Sequence, residues 1–278
     1  MKSFILTATF IVAAVATMSA KSDTKVMANG YPYTQVPFTS VNIAHNSFWG
    51  ARLQAAREVT VPLAFAKCES EHRYKNFDMA AYTLKHPGHP GLKTPEWDVA
   101  KFMGFSFDDT DVYKTIEGAS YILQTYPDKK LKAYIDSVLN MVAAAQEPDG
   151  YLYTARTINP EHPHAWSGKK RWVKEEDLSH ELYNLGHMVE GACAHYQATG
   201  SHKFLDIARR YADCVCREVG SASGQTTVVP GHQIAEMALA RLYTLTGEKR
   251  YLDEAKYLLD FRGKTSFRNA YSQSHKPI

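Results

Sequence analysis

The sequence points to an all-α protein of the α/α-toroid type, a ring of helix pairs, with a short β-prone segment ahead of it. Three observations support this. Apolar residues recur at helical spacing through most of the chain after residue 110. The pattern Tyr196-x-x-Thr199-Gly200-x-x-Lys203-Phe204-Leu205-Asp206-x-Ala208 returns 47 positions later as Tyr243-x-x-Thr246-Gly247-x-x-Arg250-Tyr251-Leu252-Asp253-x-Ala255. In each copy a Gly stands where one helix ends and an aromatic-Leu pair opens the next, so the repeating unit is two helices and a turn. Units of this length stack as an open solenoid or close into a ring. A ring gathers the starts of its inner helices around a central cleft.

Taken in order, residues 1–20 read MKSFILTATFIVAAVATMSA, with Lys2, an apolar run from Phe4 to Val15, and small residues at Ala14, Ala16, Ser19 and Ala20. That is the layout of a signal peptide, cleaved after Ala16 or Ala20, and it predicts an exported protein, periplasmic or secreted. Residues 21–47 form an extended polar segment, and the alternation of Val36-Pro37-Phe38-Thr39-Ser40-Val41-Asn42-Ile43 predicts a strand. From Phe48 the spacing turns helical, with Trp49, Leu53, Ala56 and Val59 on one face until Pro62 interrupts. Pro and Gly make 85–91 a loop. Helices are predicted over 111–125, 130–146, 178–199, 203–218, 232–246 and 250–261, with one long insertion at 149–175. The helical domain runs from 48 to 278.

Lys plus Arg number 32 against 29 Asp plus Glu, well mixed along the chain. No basic groove or anchor is expected, hence no nucleic-acid or membrane partner. Of the four cysteines, Cys68, Cys193, Cys214 and Cys216, none has the spacing of a disulfide framework or a four-ligand zinc site. Cys193 and Cys214 fall on adjacent predicted helices and read as core residues.

The segment His180-Glu181-Leu182-Tyr183-Asn184-Leu185-Gly186-His187 imitates a zinc-protease helix without being one. That chemistry needs histidines four apart, and position 184 is Asn; the second imidazole comes two turns on, about 10 Å along the axis. His180 opens one inner helix, and Pro230-Gly231-His232-Gln233 opens the next, which places His232 in its first turn. Side by side at the cleft rim, His180 and His232, each followed by a polar residue, Glu181 and Gln233, form a candidate sugar-binding wall. His187 is either a deeper cleft residue or a hydrogen-bonded core histidine. Asp109, Thr110 and Asp111 suit a helix start through capping and the helix dipole, and Asp111 is also a cleft candidate. Tyr151 and Tyr153 follow a Pro-Asp-Gly turn and are candidate stacking platforms for a sugar ring. The insertion carries His162, His164, Trp166 and Trp172, which cover a site or pack on the surface.

Phe48-Trp49, Asp109-Thr110-Asp111-Val112-Tyr113-Lys114, Asp149-Gly150-Tyr151-Leu152, His180-Glu181-Leu182-Tyr183 with Gly186-His187, Pro230-Gly231-His232-Gln233 and the closing Tyr271-Ser272-Gln273-Ser274-His275-Lys276-Pro277-Ile278 occur in one order. The series resembles glycoside hydrolase family 127 and its relative family 146, the β-L-arabinofuranosidases, over nearly all of residues 40–278. The resemblance implies a six-hairpin type α/α barrel, incomplete in this chain, and removal of terminal β-L-arabinofuranose with retention. It also implies an arabinose-containing oligosaccharide or glycoprotein glycan as substrate. Family histidines that bind the arabinose hydroxyls match His180 and His232. The family's nucleophile is a zinc-bound cysteine and its acid/base a glutamate. Both, with the zinc ligands, belong after the position of Ile278. Zinc is therefore expected of a full-length member, and no nucleophile, acid/base or metal ligand is assigned to a residue of this chain. Alone, the chain is expected to be inactive and prone to aggregate, as a natural truncation or a partial sequence. Two other readings stay open: a non-catalytic helical sugar-binding protein, and an α/α-barrel hydrolase or lyase acting on uronic-acid sugars.

Overall fold

A computed structural model describes residues 35–88 and 102–262. The chain divides into two units at Gln35, and all the helices belong to the one that begins at Val36 among the described residues. The expected leader at 1–20, most of the 21–47 segment and the closing 271–278 motif lie outside the described residues.

The order is α1 (Phe48–Ala55), α2 (Val61–Ser70), α3 (Arg73–Lys85), α4 (Asp109–Thr125), α5 (Lys129–Ala144), α6 (Thr154–Thr157), α7 (Glu181–Thr199), α8 (Lys203–Glu218), α9 (Ile234–Thr246) and α10 (Lys249–Phe261). The fold is all-α, of the toroid type. Among the described residues no strand forms, and one isolated bridge joins Val219 to Thr226. The strand expected at 36–43 is instead a 3-10 turn, Phe38–Ser40, entered from Pro37. A lone strand has no ladder to satisfy its backbone. The segment docks by side chains instead, Phe38 meeting the Tyr121 ring edge-on at 4.9 Å.

Pro62 does not end the first helix. A π-helical turn, Ala56–Thr60, links α1 to α2 and passes Pro62 into the first turn of α2. A widened turn accommodates the lost N–H there. Ser47 caps α1 by accepting from the Gly50 N–H at 3.0 Å, and Asp128 caps α5 through the Lys130 and Leu131 N–H groups. α3 is a helix the periodicity did not announce; it buries Tyr74, Phe77, Met79 and Ala80.

The repeat appears as expected. Gly200 and Gly247 end α7 and α9 in the left-handed region, at φ 71° and 75°, and each N–H bonds back to a Tyr carbonyl, Tyr196 or Tyr243. Tyr251 and Phe204 start the following helices fully buried. α7 packs between α4 and α9, with α8 behind α7 and α10 behind α9. The core between these layers includes Val112, Ile116, Leu182, Leu185, Val189, Leu239 and Leu258. No helix among the described residues is long and apolar enough to cross a membrane.

Candidate functional site

The α4–α7–α9 layer sets the site, because the starts of these three helices meet at one end. Phe107 precedes α4 by two residues, His180 caps α7, and His232 precedes α9 by two residues, with Gln233 as its cap. His232 therefore stands just outside the helix, not in its first turn. The ring centroids of His180 and His232 lie 5.5 Å apart, and Phe107 lies 5.0 Å from His180. Tyr183 sits between them, 5.6 Å from His180, 5.0 Å from His232 and 4.5 Å from His187. Lys114 donates to the Tyr183 hydroxyl at 2.8 Å.

His180 has φ 62°, in the left-handed region. That unusual backbone is held by packing: its Nδ1–H donates to the Leu178 carbonyl at 2.6 Å. Because a carbonyl only accepts, this bond fixes the tautomer and leaves the lone pair on Nε2. Burial pulls the His180 pKa down, and the neighbouring His232 adds to it. His232 is lowered by burial and by the charges of Arg262 and Lys114. His187 is pulled to about 4 by burial, with help from Lys114. All three shifts favour the uncharged ring, which carries one donor and one acceptor; in His180 the donor is already given to the Leu178 carbonyl, and Nε2 is the acceptor. The imidazoles and the Tyr183 phenol beside Lys114 make a wall of hydrogen-bonding groups.

Behind this wall lies a buried polar layer that corrects two expectations. Glu181 is fully buried, accepting from Tyr151 Oη at 2.6 Å, from Ser179 Oγ at 2.9 Å and from the Trp172 N–H at 3.0 Å. Its carboxylate serves the fold and has no surface to offer a ligand. Tyr151 is fully buried as well, with the Arg171 guanidinium 4.0 Å from its ring centre and Trp172 and Tyr211 packed edge-on against it. It is no stacking platform, and neither is buried Tyr153, which bonds to the Ser179 carbonyl. Asp111 is half-buried and paired with Arg73 Nε at 3.0 Å. Gln233 is exposed at the α9 start. Asp109 does not cap α4: its carboxylate turns inward to the Thr154 N–H and hydroxyl, and burial raises its pKa to about 7.

Among the described residues, Asp149, Cys214 and Glu218 bring three possible metal-ligand atoms within 4.8 Å of one another. They do not fit zinc. Arg171 already fills the place of the cation, with Nη1 2.6 Å from both Asp149 and Glu218 and Nη2 2.6 Å from Glu147. Burial also raises the Cys214 thiol well above its usual range, the reverse of what a thiolate ligand needs. A separate groove of about 490 Å³, lined by Val61, Phe65, Ile122, Leu131 and Tyr134, opens between α2, α4 and α5, and none of the imidazoles borders it.

Residues 40–278 match the GH127 catalytic domain of β-L-arabinofuranosidases. The chain belongs to glycoside hydrolase family 127. It is similar to the non-reducing end β-L-arabinofuranosidase of Bifidobacterium longum subsp. longum, 42% identical over 164 residues, which is 59% of this chain and 24% of that protein. Among solved structures it is similar to a GH127 β-arabinofuranosidase at 66% identity and TM-score 0.81, covering 90% of this chain and 37% of that one. It is also similar to a GH127 β-L-arabinofuranosidase from Geobacillus stearothermophilus T6, at 34% identity and TM-score 0.71, covering 82% of this chain and 33% of that one. The family 127 chain thus spans well under half the length of these relatives.

In this family 127 chain the paired histidines are legible at helix starts, whereas Tyr183, Lys114 and Phe107 join them only in the structure. Tyr183 was accessible: positions 180, 183 and 187 fall on one helix face. Phe107 and Lys114 lie outside the helix that carries the motif, and only the packing of α4 on α7 brings them in.

Proposed function

We propose that this chain supplies the sugar-recognition face of an exported, retaining β-L-arabinofuranosidase that takes terminal β-L-arabinofuranose from plant-type glycans. The observation that carries the reading is the 5.5 Å pairing of His180 and His232 where the inner helices begin. The Nε2 lone pair of His180 accepts one sugar hydroxyl, and the imidazole of His232 takes its neighbour. Tyr183, which keeps its own O–H proton while accepting from Lys114, provides a further donor. Uncharged rings avoid the cost of desolvating a cation when the sugar displaces water. The zinc-held cysteine and the acid/base glutamate that the family resemblance implies are assigned to none of the described residues, and no step of the reading passes through them.

Titration of the protein with methyl β-L-arabinofuranoside, followed by calorimetry, tests this. His180→Ala and His232→Ala are each expected to weaken binding by about 5- to 100-fold, the equivalent of roughly 1–3 kcal/mol for a lost hydrogen bond in a desolvated site. Unchanged affinity in both variants would remove the histidines from the sugar site.

A further inference from the structure

Beside the imidazole pair lies an aromatic feature that the recognition of a single arabinose does not use. Phe105 and Phe107 stack with centroids 5.4 Å apart and planes 4° from parallel, and Trp166 continues the row 5.8 Å from Phe105 at 27°. Phe105 is 56% exposed. The row starts at the site itself, since Phe107 also contacts His180.

An exposed phenylalanine on a loose loop would carry little meaning, but this turn is built. Gly104 has φ 108°, and a Cβ there would fall 2.1 Å from Asp108 Oδ2, so only glycine fits. Asp108 accepts from the Phe105 N–H at 2.8 Å, and its own N–H returns to the Phe105 carbonyl at 2.9 Å. Arg73 then pins Asp108 to α3 at 3.0 Å, with both partners largely buried. Trp166 is fastened from the other side: its backbone N–H donates to His164 Nδ1 at 3.2 Å, and Lys174 Nζ ties down the Ala165 carbonyl at 2.8 Å. Two unrelated segments are each fixed so that their rings line up outward from His180.

We infer that Phe105, Phe107 and Trp166 form a second sugar subsite, taking the apolar face of the ring to which the terminal arabinofuranose is attached. The inference rests on the recognition reading above. Sugar rings carry C–H faces between their hydroxyls, and aromatic rings held in place take such faces at low entropic cost. Phe107 contacts His180, so a sugar attached to a unit held there meets an aromatic ring on that side. The aromatic row is the surface that starts there. The subsite selects arabinose linked to another sugar over arabinose carrying a small alkyl group.

The test compares methyl β-L-arabinofuranoside with a disaccharide bearing β-L-arabinofuranose at its non-reducing end, by calorimetry on the intact protein. Wild type is expected to bind the disaccharide at least tenfold more tightly. Phe105→Ala should bring the two affinities within about twofold while leaving that of the methyl glycoside unchanged, and Phe105→Trp should keep the preference. The ring's exposure makes neither change a threat to folding. Equal affinities in wild type, or a preference that survives both Phe105→Ala and Trp166→Ala, would overturn the subsite and leave the histidine clasp standing. Failure of wild type to bind either sugar would overturn both.

Discussion

Tyr151 donates its phenolic hydrogen to Glu181 at 2.6 Å, joining the turn after α5 to the residue that follows His180. The bond lies in the buried layer directly behind the imidazole pair, so the position of His180 depends on it. Tyr151→Phe keeps the ring packing and removes one donor from a buried carboxylate that retains Ser179 and the Trp172 N–H. A loss of about 1–2 kcal/mol is expected in urea unfolding, and a larger loss for Tyr151→Ala, which also vacates the space between Arg171 and Tyr211. Wild-type stability in Tyr151→Phe would show that the bond does not hold the α7 start.

Glu175 and Glu181 share the Ser179 hydroxyl, each at 2.9 Å. Burial first, and then the charge of Glu181, push Glu175 up to about 8, while burial raises Glu181 to about 7. A folded-state pKa above the unfolded value near 4.5 means that the native protein holds a proton the unfolded chain has lost. That stabilisation is complete at low pH and is lost as pH rises through the folded values. The depressed histidines act in the opposite sense and only below about 6.5, where the unfolded chain takes up the extra protons. Between pH 6.5 and 8.5 the carboxylates therefore dominate, and the melting temperature should fall. Glu175→Gln should flatten the fall; an unaltered slope would assign it to other groups.

α7 and α9 are in tight contact at Gly186, where an added Cβ would meet the backbone and side chain of Ile234 at 2.8 Å. Ile234 is two residues from His232. Gly186→Ala should force the helices apart at a cost of about 1–3 kcal/mol. It should also weaken arabinofuranoside binding, although it touches no sugar contact. Destabilisation with full affinity would separate helix spacing from the clasp.

Arg171 binds Glu147, Asp149 and Glu218 at 2.6 Å each. Arg171→Ala leaves three carboxylates facing one another, and about 2–3 kcal/mol should be lost, less than for a fully buried pair because all four groups keep some contact with water. The same change empties the place of the cation beside Asp149, Cys214 and Glu218. Zinc should then raise the melting temperature of Arg171→Ala and not that of wild type. A response in wild type would mean that the guanidinium does not exclude the ion.

Much of the architecture was legible in local signals. The glycine-ended repeat located α7 to α10 because Gly200 and Gly247 act on their own backbone. α3 escaped because its buried face includes Asn76 and its exposed one is mixed, so the apolar spacing is blurred. The strand expected at 36–43 failed for lack of a partner strand, which alternation within one segment cannot reveal. At the site, His180 and His232 were legible as residues at helix starts. Tyr151 and Glu181 were misjudged because polarity alone does not tell whether a group faces solvent or a buried partner. That depends on Trp172 and Arg171, which arrive from a loop with no period to read.

The left-handed glycines at the ends of α7 and α9 make each hairpin a module that closes on itself, yet the two imidazoles belong to different modules. The clasp is a property of the seam between them. A substitution inside either module can be judged by its own folding, whereas a module inserted between the two would part the histidines without harming either hairpin. In such an architecture the order of the copies carries the site as much as the residues do.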